Sequence, residues 1–205
     1  MSNRNNDECR FQMISEKNAK ILYDKDEKFL CVWNTEIESS EHWQNLIEEK
    51  ASYDQEKTSI RLERAYCKVY QPESSYWNSK DFDVLVNELE NKVNVLTSFL
   101  NIKKEKVHKL EKGTWGLVYE DQETCGPHGH GKTNHYAGTF YFKSDPGCGS
   151  IFFPEIGMEV FPESGDLLLF NSRLHHGVMP NTLPNAKRVC VAFNVIKEKR
   201  KDETV

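Results

Sequence analysis

Apolar positions recur along this chain with two different periods, and the change comes near residue 113. Upstream, SKDFDVLVNELENKVNVLTSFLNI places Phe82, Leu85, Leu89, Val93, Leu96 and Leu100 at steps of three and four. Those steps draw one stripe along a helix, so the spacing predicts a long amphipathic helix capped by Ser79. SSEHWQNLIEEKASY reads as a second helix opening at Ser39 or Ser40, whose hydroxyl can accept from an orphan backbone N–H. FLCVW is a short apolar run between charged stretches. Downstream, TWGLVYE, YAGTFYF, GSIFFP, DLLLF and RVCVAFNV are rich in β-branched and aromatic residues and bounded by Gly, Pro, Asp or Asn. They read as five strands within about 85 residues, the texture of a sandwich or barrel. The expected fold is α+β in a single domain, 1–205. Its residues 1–112 form a helix-rich part with a few strands, and 113–197 form an antiparallel core braced by those helices.

Composition narrows the classes. A chain of 205 residues suits one domain, and its 11 Phe, 8 Tyr and 4 Trp supply the area for a core despite a mean hydropathy of -0.70. Trp115, Phe140, Phe142, Phe152, Phe153 and Phe170 read as that core, and Gly165 as a turn glycine before a strand. No apolar run approaches the ~18–20 residues that cross a bilayer, and MSNRNNDECRF lacks the apolar segment of a signal peptide. A soluble cytoplasmic protein with no membrane partner is expected. The net charge of -5 argues against a nucleic-acid partner, and the basic runs NIKKEKVHK and KEKRK read as solvated surface. Six cysteines without a CxxC pair are expected to be reduced thiols. The residues leave the oligomeric state open.

Five of the 7 histidines crowd into two segments, GPHGHGKTNHYAGTFYF and SRLHHGVMPN. Residues i and i+2 of an extended chain share a face, so His128 and His130 can present two imidazoles to one point. A third from the second segment, His175 or His176, would complete a facial set on a metal with positions open for substrate and oxygen. Leu174, His176 and Val178 share one face and His175 the other, so spacing alone leaves the choice open. Structural zinc is disfavoured because no cysteine pair frames these histidines. His135, an odd five residues from His130, falls on the opposite face of a regular strand and stays a reserve ligand.

TWGLVYEDQETCGPHGHGKTNHYAGTFYFKSDPGCGSIFFP and FPESGDLLLFNSRLHHGVMPNTLPNAKRVCVAFNV together resemble the 2-oxoglutarate/Fe(II)-dependent dioxygenase superfamily, in the form found in phages and bacteria. The resemblance covers roughly residues 114–196 and is most specific at Gly165–Phe170, Leu174, His176, Gly177, Pro180, Asn181, Arg188 and Phe193–Asn194. It implies a double-stranded β-helix, a jelly roll of the cupin type, using Fe(II), 2-oxoglutarate and O2. It implies His176 as the distal metal ligand and His128 as the proximal one. His130 stands where the family usually has Asp or Glu. Either His128, His130 and His176 make a three-histidine site, or His130 is the first ligand and the acid position is vacant or otherwise filled. No acid lies between His128 and His135, and Asp145 reads as a turn residue in KSDPGCG.

Arg188 matches the family's anchor for the distal carboxylate of 2-oxoglutarate, a task suited to a guanidinium fork. Cys190 stands where a supporting serine is common. Tyr119 and Tyr141 can offer phenols to the cosubstrate, although packed core tyrosines are the reading their strands favour. The implied reaction decarboxylates 2-oxoglutarate to succinate and CO2 while a C–H bond of a small-molecule or protein substrate is hydroxylated. Two other classes fit the same residues: a three-histidine cupin dioxygenase that needs no 2-oxoglutarate, and a jelly-roll binding module without catalysis.

Overall fold

The structure, a computed structural model, describes residues 13–14, 19–25, 28–53, 65–70, 80–100, 108–110, 114–130 and 135–197. Ser79, residues 1–12 and most of the two basic runs lie outside them. In chain order the upstream elements are β1 (Met13–Ile14), β2 (Ala19–Lys25), β3 (Lys28–Asn34), α1 (Ser40–Lys50), β4 (Ala65–Tyr66), β5 (Lys68–Tyr70), α2 (Lys80–Phe99) and β6 (His108–Leu110). The downstream strands are β7 (Trp115–Glu120), β8 (Thr124–His128), β9 (Tyr136–Ser144), β10 (Ile151–Phe153), β11 (Met158–Val160), β12 (Asp166–Asn171), β13 (His176–Val178) and β14 (Lys187–Lys197).

From β7 onward the chain winds between two antiparallel sheets. The larger is ordered β1-β2-β3-β12-β9-β14-β7-β5, with β6 paired to the far end of β14. The smaller is ordered β11-β10-β13-β8-β4. The winding, with β7, β9, β12 and β14 in one sheet and β8, β10, β11 and β13 in the other, is the double-stranded β-helix expected from the sequence. The upstream part contributes strands to both sheets, and β3 is bonded along its length to β12, from Asn34 opposite Asp166 to Leu30 opposite Phe170. The FLCVW run is thus a central strand of the large sheet.

Alternate residues of the large sheet enter two separate cores, which explains why its strands read as continuous apolar runs. Val118, Phe140, Phe142, Leu167, Leu169, Val189 and Val191 face the helices and pack with Trp43, Ile47, Phe82, Leu85, Leu89, Val93 and Leu96. Every predicted stripe residue of α2 from Phe82 to Leu96 is buried, and Leu100 is partly so. Trp115, Leu117, Tyr119, Tyr141, Leu168, Phe170 and Cys190 face the small sheet instead. One local expectation fails: Ser39 precedes α1 in a left-handed conformation (φ 56) and its side chain makes no cap hydrogen bond. The first turn is closed by the Ser39 carbonyl, which accepts from Trp43 N–H at 3.2 Å.

Candidate metal centre and its pocket

His128 ends β8 and His176 opens β13, and the two are register partners across the small sheet. His130, just past the end of β8, is tied down by its own N–H donating to Ser172 O at 2.9 Å. Ring nitrogens of His128, His130 and His176 then all lie within 4.8 Å of one another. His130 Nε2 and His176 Nε2 are 3.3 Å apart, with the rings nearly parallel at 19°. On the other side of each outer ring stands a backbone carbonyl: His128 Nδ1 is 3.0 Å from Gly126 O, and His176 Nδ1 is 3.2 Å from Leu174 O. Donation of Nδ1–H to these carbonyls fixes the tautomer that leaves Nε2 as a lone-pair donor, the usual outer support of a metal-binding imidazole.

The remaining contacts hold His176 rigidly. Its ring packs against Phe170 with centroids 4.6 Å apart, and Leu174 beside it is fully buried. Gly177 leaves no free room for a side chain: a Cβ would sit 2.5 Å from the Phe152 ring and 2.8 Å from Cys125 O. Burial is also the main reason that His176 titrates well below the ordinary 6.5, the neighbouring His128 and His130 adding to it. Burial, then the charge of His128, lowers His130 from 6.5 to about 4. Both imidazoles are therefore neutral at neutral pH. His175 points the other way; its side chain is 53% exposed and its Nδ1 contacts Glu155, which also bridges to Lys28 at 3.0 Å. His135 is exposed, and its backbone bonds to Val195 and Ser172 rather than the histidine group. Of the three candidates for a third position, His176 joins His128 and His130 in the group that could hold a metal ion, while His135 and His175 lie outside it.

The three imidazoles border a cavity whose opposite wall is the inner face of the large sheet, including Tyr119, Thr139, Tyr141, Arg188 and Cys190. Cross-strand register builds that wall, pairing Arg188 with Tyr119, and Cys190 with both Leu117 and Tyr141. Arg188 is 0% exposed, and its guanidinium lies over the Tyr119 ring, 4.5 Å from the centroid. Arg188 Nη1 donates to Gly149 O at 2.6 Å, while Nε and Nη2 have no hydrogen-bond partner among the described residues. Those two donors form one edge of the fork, the edge that grips a carboxylate through parallel bonds. Burial raises Tyr119, Tyr141 and Cys190 above their ordinary values, so all three stay protonated. Trp115 and Phe170, expected as core, also line the cavity.

Sequence reasoning gave no role to the support behind Arg188. Asn181, buried, accepts from Gly149 N at 3.1 Å through Oδ1 and donates through Nδ2 to Ala186 O at 2.7 Å. Gly149 lies so close to the 179–180 backbone that a Cβ would meet Met179 O at 2.0 Å. The Gly149 carbonyl that orients Arg188 is therefore clamped from two sides. The only hints in sequence were Pro180–Asn181 and a glycine in the GCGS turn, neither of which states a partner 32 residues away.

Comparison with known proteins agrees with this geometry. Residues 153–194 match the family described as "Putative 2OG-Fe(II) oxygenase". No curated protein matches the sequence. Among solved structures, the viral collagen prolyl hydroxylase of Paramecium Bursaria Chlorella virus-1, in complex with 2OG, superposes with a TM-score of 0.57 at 13% identity, over 84% of this chain and 97% of that one. A Trichoplax adhaerens prolyl hydroxylase, in complex with a hypoxia inducible factor oxygen degradation domain peptide fragment, gives 0.57 at 17% identity, over 86% of this chain and 87% of that one. HygX from Streptomyces hygroscopicus, with nickel and 2-oxoglutarate bound, gives 0.53 at 15% identity, over 88% and 83%. Its residues 153–194 are thus similar in sequence to that oxygenase family, and its fold is the one these solved structures share.

Proposed function

We propose that this protein is a non-haem Fe(II)- and 2-oxoglutarate-dependent dioxygenase. The observation that carries the reading is the joint presence, in one cavity, of three convergent imidazoles and a buried guanidinium with two open donors. His128, His130 and His176 would hold the metal. Arg188 would grip the distal carboxylate of 2-oxoglutarate through Nε–H and Nη2–H, with Tyr119 beneath its guanidinium. Tyr141, kept protonated by burial, is available to donate its phenol proton to the cosubstrate. Iron bound there would supply the oxygen chemistry that turns 2-oxoglutarate into succinate and CO2 and hydroxylates a substrate C–H bond. The chain's own share is to orient both carboxylate and imidazoles and to keep water out with Trp115, Phe170 and their neighbours.

The partner in this reading is a small-molecule or protein substrate; the net charge of -5 disfavours a nucleic acid. Among the described residues no helix is long and apolar enough to cross a membrane. Among the described residues Cys31, Cys67, Cys148 and Cys190 are free thiols, which suits a reducing compartment. The test is succinate production from 2-oxoglutarate by protein reconstituted with Fe(II) and exposed to oxygen, followed by NMR without added substrate. Succinate should form only with iron and should be lost in His176→Ala. Iron binding without any conversion of 2-oxoglutarate would favour the three-histidine enzyme that needs no cosubstrate, and would leave the open fork of Arg188 unexplained.

A further inference from the structure

Charge in the cavity is unbalanced. Among the described residues that line it there is no Asp or Glu, and the ionised side chain it holds is Arg188, with none of its surface in water. Asp166, whose charge reaches Tyr141, engages its carboxylate with Asn34 Nδ2 at 2.9 Å and Glu163 N–H at 2.9 Å and does not line the cavity. Glu155 is turned outward to His175 and Lys28. His128, His130 and His176 would coordinate as uncharged imidazoles, so a divalent metal would bring two positive charges that these side chains leave unneutralised. The guanidinium adds a third. Buried charges of one sign are unfavourable unless an opposite charge is brought against them.

We propose that His130 couples the two binding steps: by leaving the metal uncompensated, it makes metal retention depend on a dianionic 2-oxo dicarboxylate in the cavity. This rests on the function proposed above. A carboxylate at position 130 would itself neutralise one of the metal's charges and weaken that dependence. Binding linkage is reciprocal, so the dianion must depend on the metal by the same factor. The ligand-free site would then exchange its metal readily, and the loaded site would hold it firmly. His130 is a specificity-determining ligand in this account, acting on which anion fills the cavity as well as on the metal.

The test is anaerobic Co(II) titration of the metal-free protein, read by visible absorption, with and without saturating 2-oxoglutarate. Wild type should gain Co(II) affinity by at least about tenfold, within the ~5–150-fold range common for coupled sites. His130→Asp should bind Co(II) more tightly alone and gain several-fold less from 2-oxoglutarate. His130→Glu, with circular dichroism as a check of folding, provides a second carboxylate variant. Equal gains in wild type and in a folded carboxylate variant would overturn the role of His130 while leaving 2-oxoglutarate as the cosubstrate. A wild-type gain below about threefold would overturn the coupling without any variant. If 2-oxoglutarate fails to bind Co(II)-loaded protein at all, the proposed function falls with it.

Discussion

Replacing Arg188 by Met separates a ligand anchor from a structural cation. Among the described residues Nε and Nη2 are buried without partners. Each such donor costs about 1–3 kcal/mol, so removing both relieves roughly 2–6 kcal/mol. Against this stand the bond from Nη1 to Gly149 O at 2.6 Å, whose loss leaves a buried carbonyl unpaired for about 1–3 kcal/mol, and the stacking over Tyr119, which contributes about 2 kcal/mol when desolvated. The terms nearly cancel, and Arg188→Met should unfold in urea within about 2 kcal/mol of wild type. Binding should respond very differently. Two charge-assisted bonds contribute at least about 3 kcal/mol, a loss of more than about 100-fold in 2-oxoglutarate affinity. With Mn(II) present anaerobically, 2-oxoglutarate at about 100 times its dissociation constant should stabilise wild type by about 2.7 kcal/mol and leave the variant unmoved. A variant that loses about 3–5 kcal/mol without ligand would show that Arg188 belongs to a closed structural network. A variant still stabilised by 2-oxoglutarate would refute its role as the anchor.

Three further outcomes follow from the same contacts. Gly177→Ala drives a methyl into the Phe152 ring and toward Cys125 O, a backbone atom that cannot yield, so it should cost about 1–3 kcal/mol in chemical denaturation and weaken metal binding by displacing His176. Asn181→Ala should also destabilise, by about 2–4 kcal/mol, and should weaken 2-oxoglutarate binding with metal affinity unchanged, because it frees the Gly149 carbonyl that orients Arg188. His130 has a folded value of about 4, below the 6.5 of the unfolded chain, so the unfolded state takes up a proton first as pH falls. Its contribution to stability is complete above 6.5 and is lost toward 4, at no more than about 1.4 kcal/mol per pH unit, and His130→Gln should remove that slope from urea unfolding of metal-free protein between pH 7 and pH 5.

What could be read in sequence was whatever a local period records. The α2 stripe from Phe82 to Leu96 was visible because a helix repeats its buried face every three or four residues. Four of the five downstream strands, β7, β9, β12 and β14, were visible because both of their faces are buried. By contrast β8 carries Gly126 and Pro127, which weaken a strand pattern, yet it is the strand that delivers His128. β13 has only three residues, too few for any period, and β4 has two. The inward face of His176 followed from alternation plus a resemblance, but the carbonyls behind His128 and His176 did not, since a backbone acceptor leaves no residue-specific mark. The Asn181–Gly149–Arg188 brace was equally hidden, because it joins positions brought together only by folding.

The central claim is that one cavity holds both a metal and 2-oxoglutarate, and anaerobic absorption spectroscopy of the metal-free protein tests it most directly. Fe(II) is added first and 2-oxoglutarate second, while the weak visible charge-transfer band of a metal-chelated 2-oxo acid is followed. The account predicts that this band grows to one equivalent in wild type and is absent in His176→Ala, with Arg188→Met requiring far more 2-oxoglutarate. Iron that binds stoichiometrically with no band at any 2-oxoglutarate concentration would contradict it.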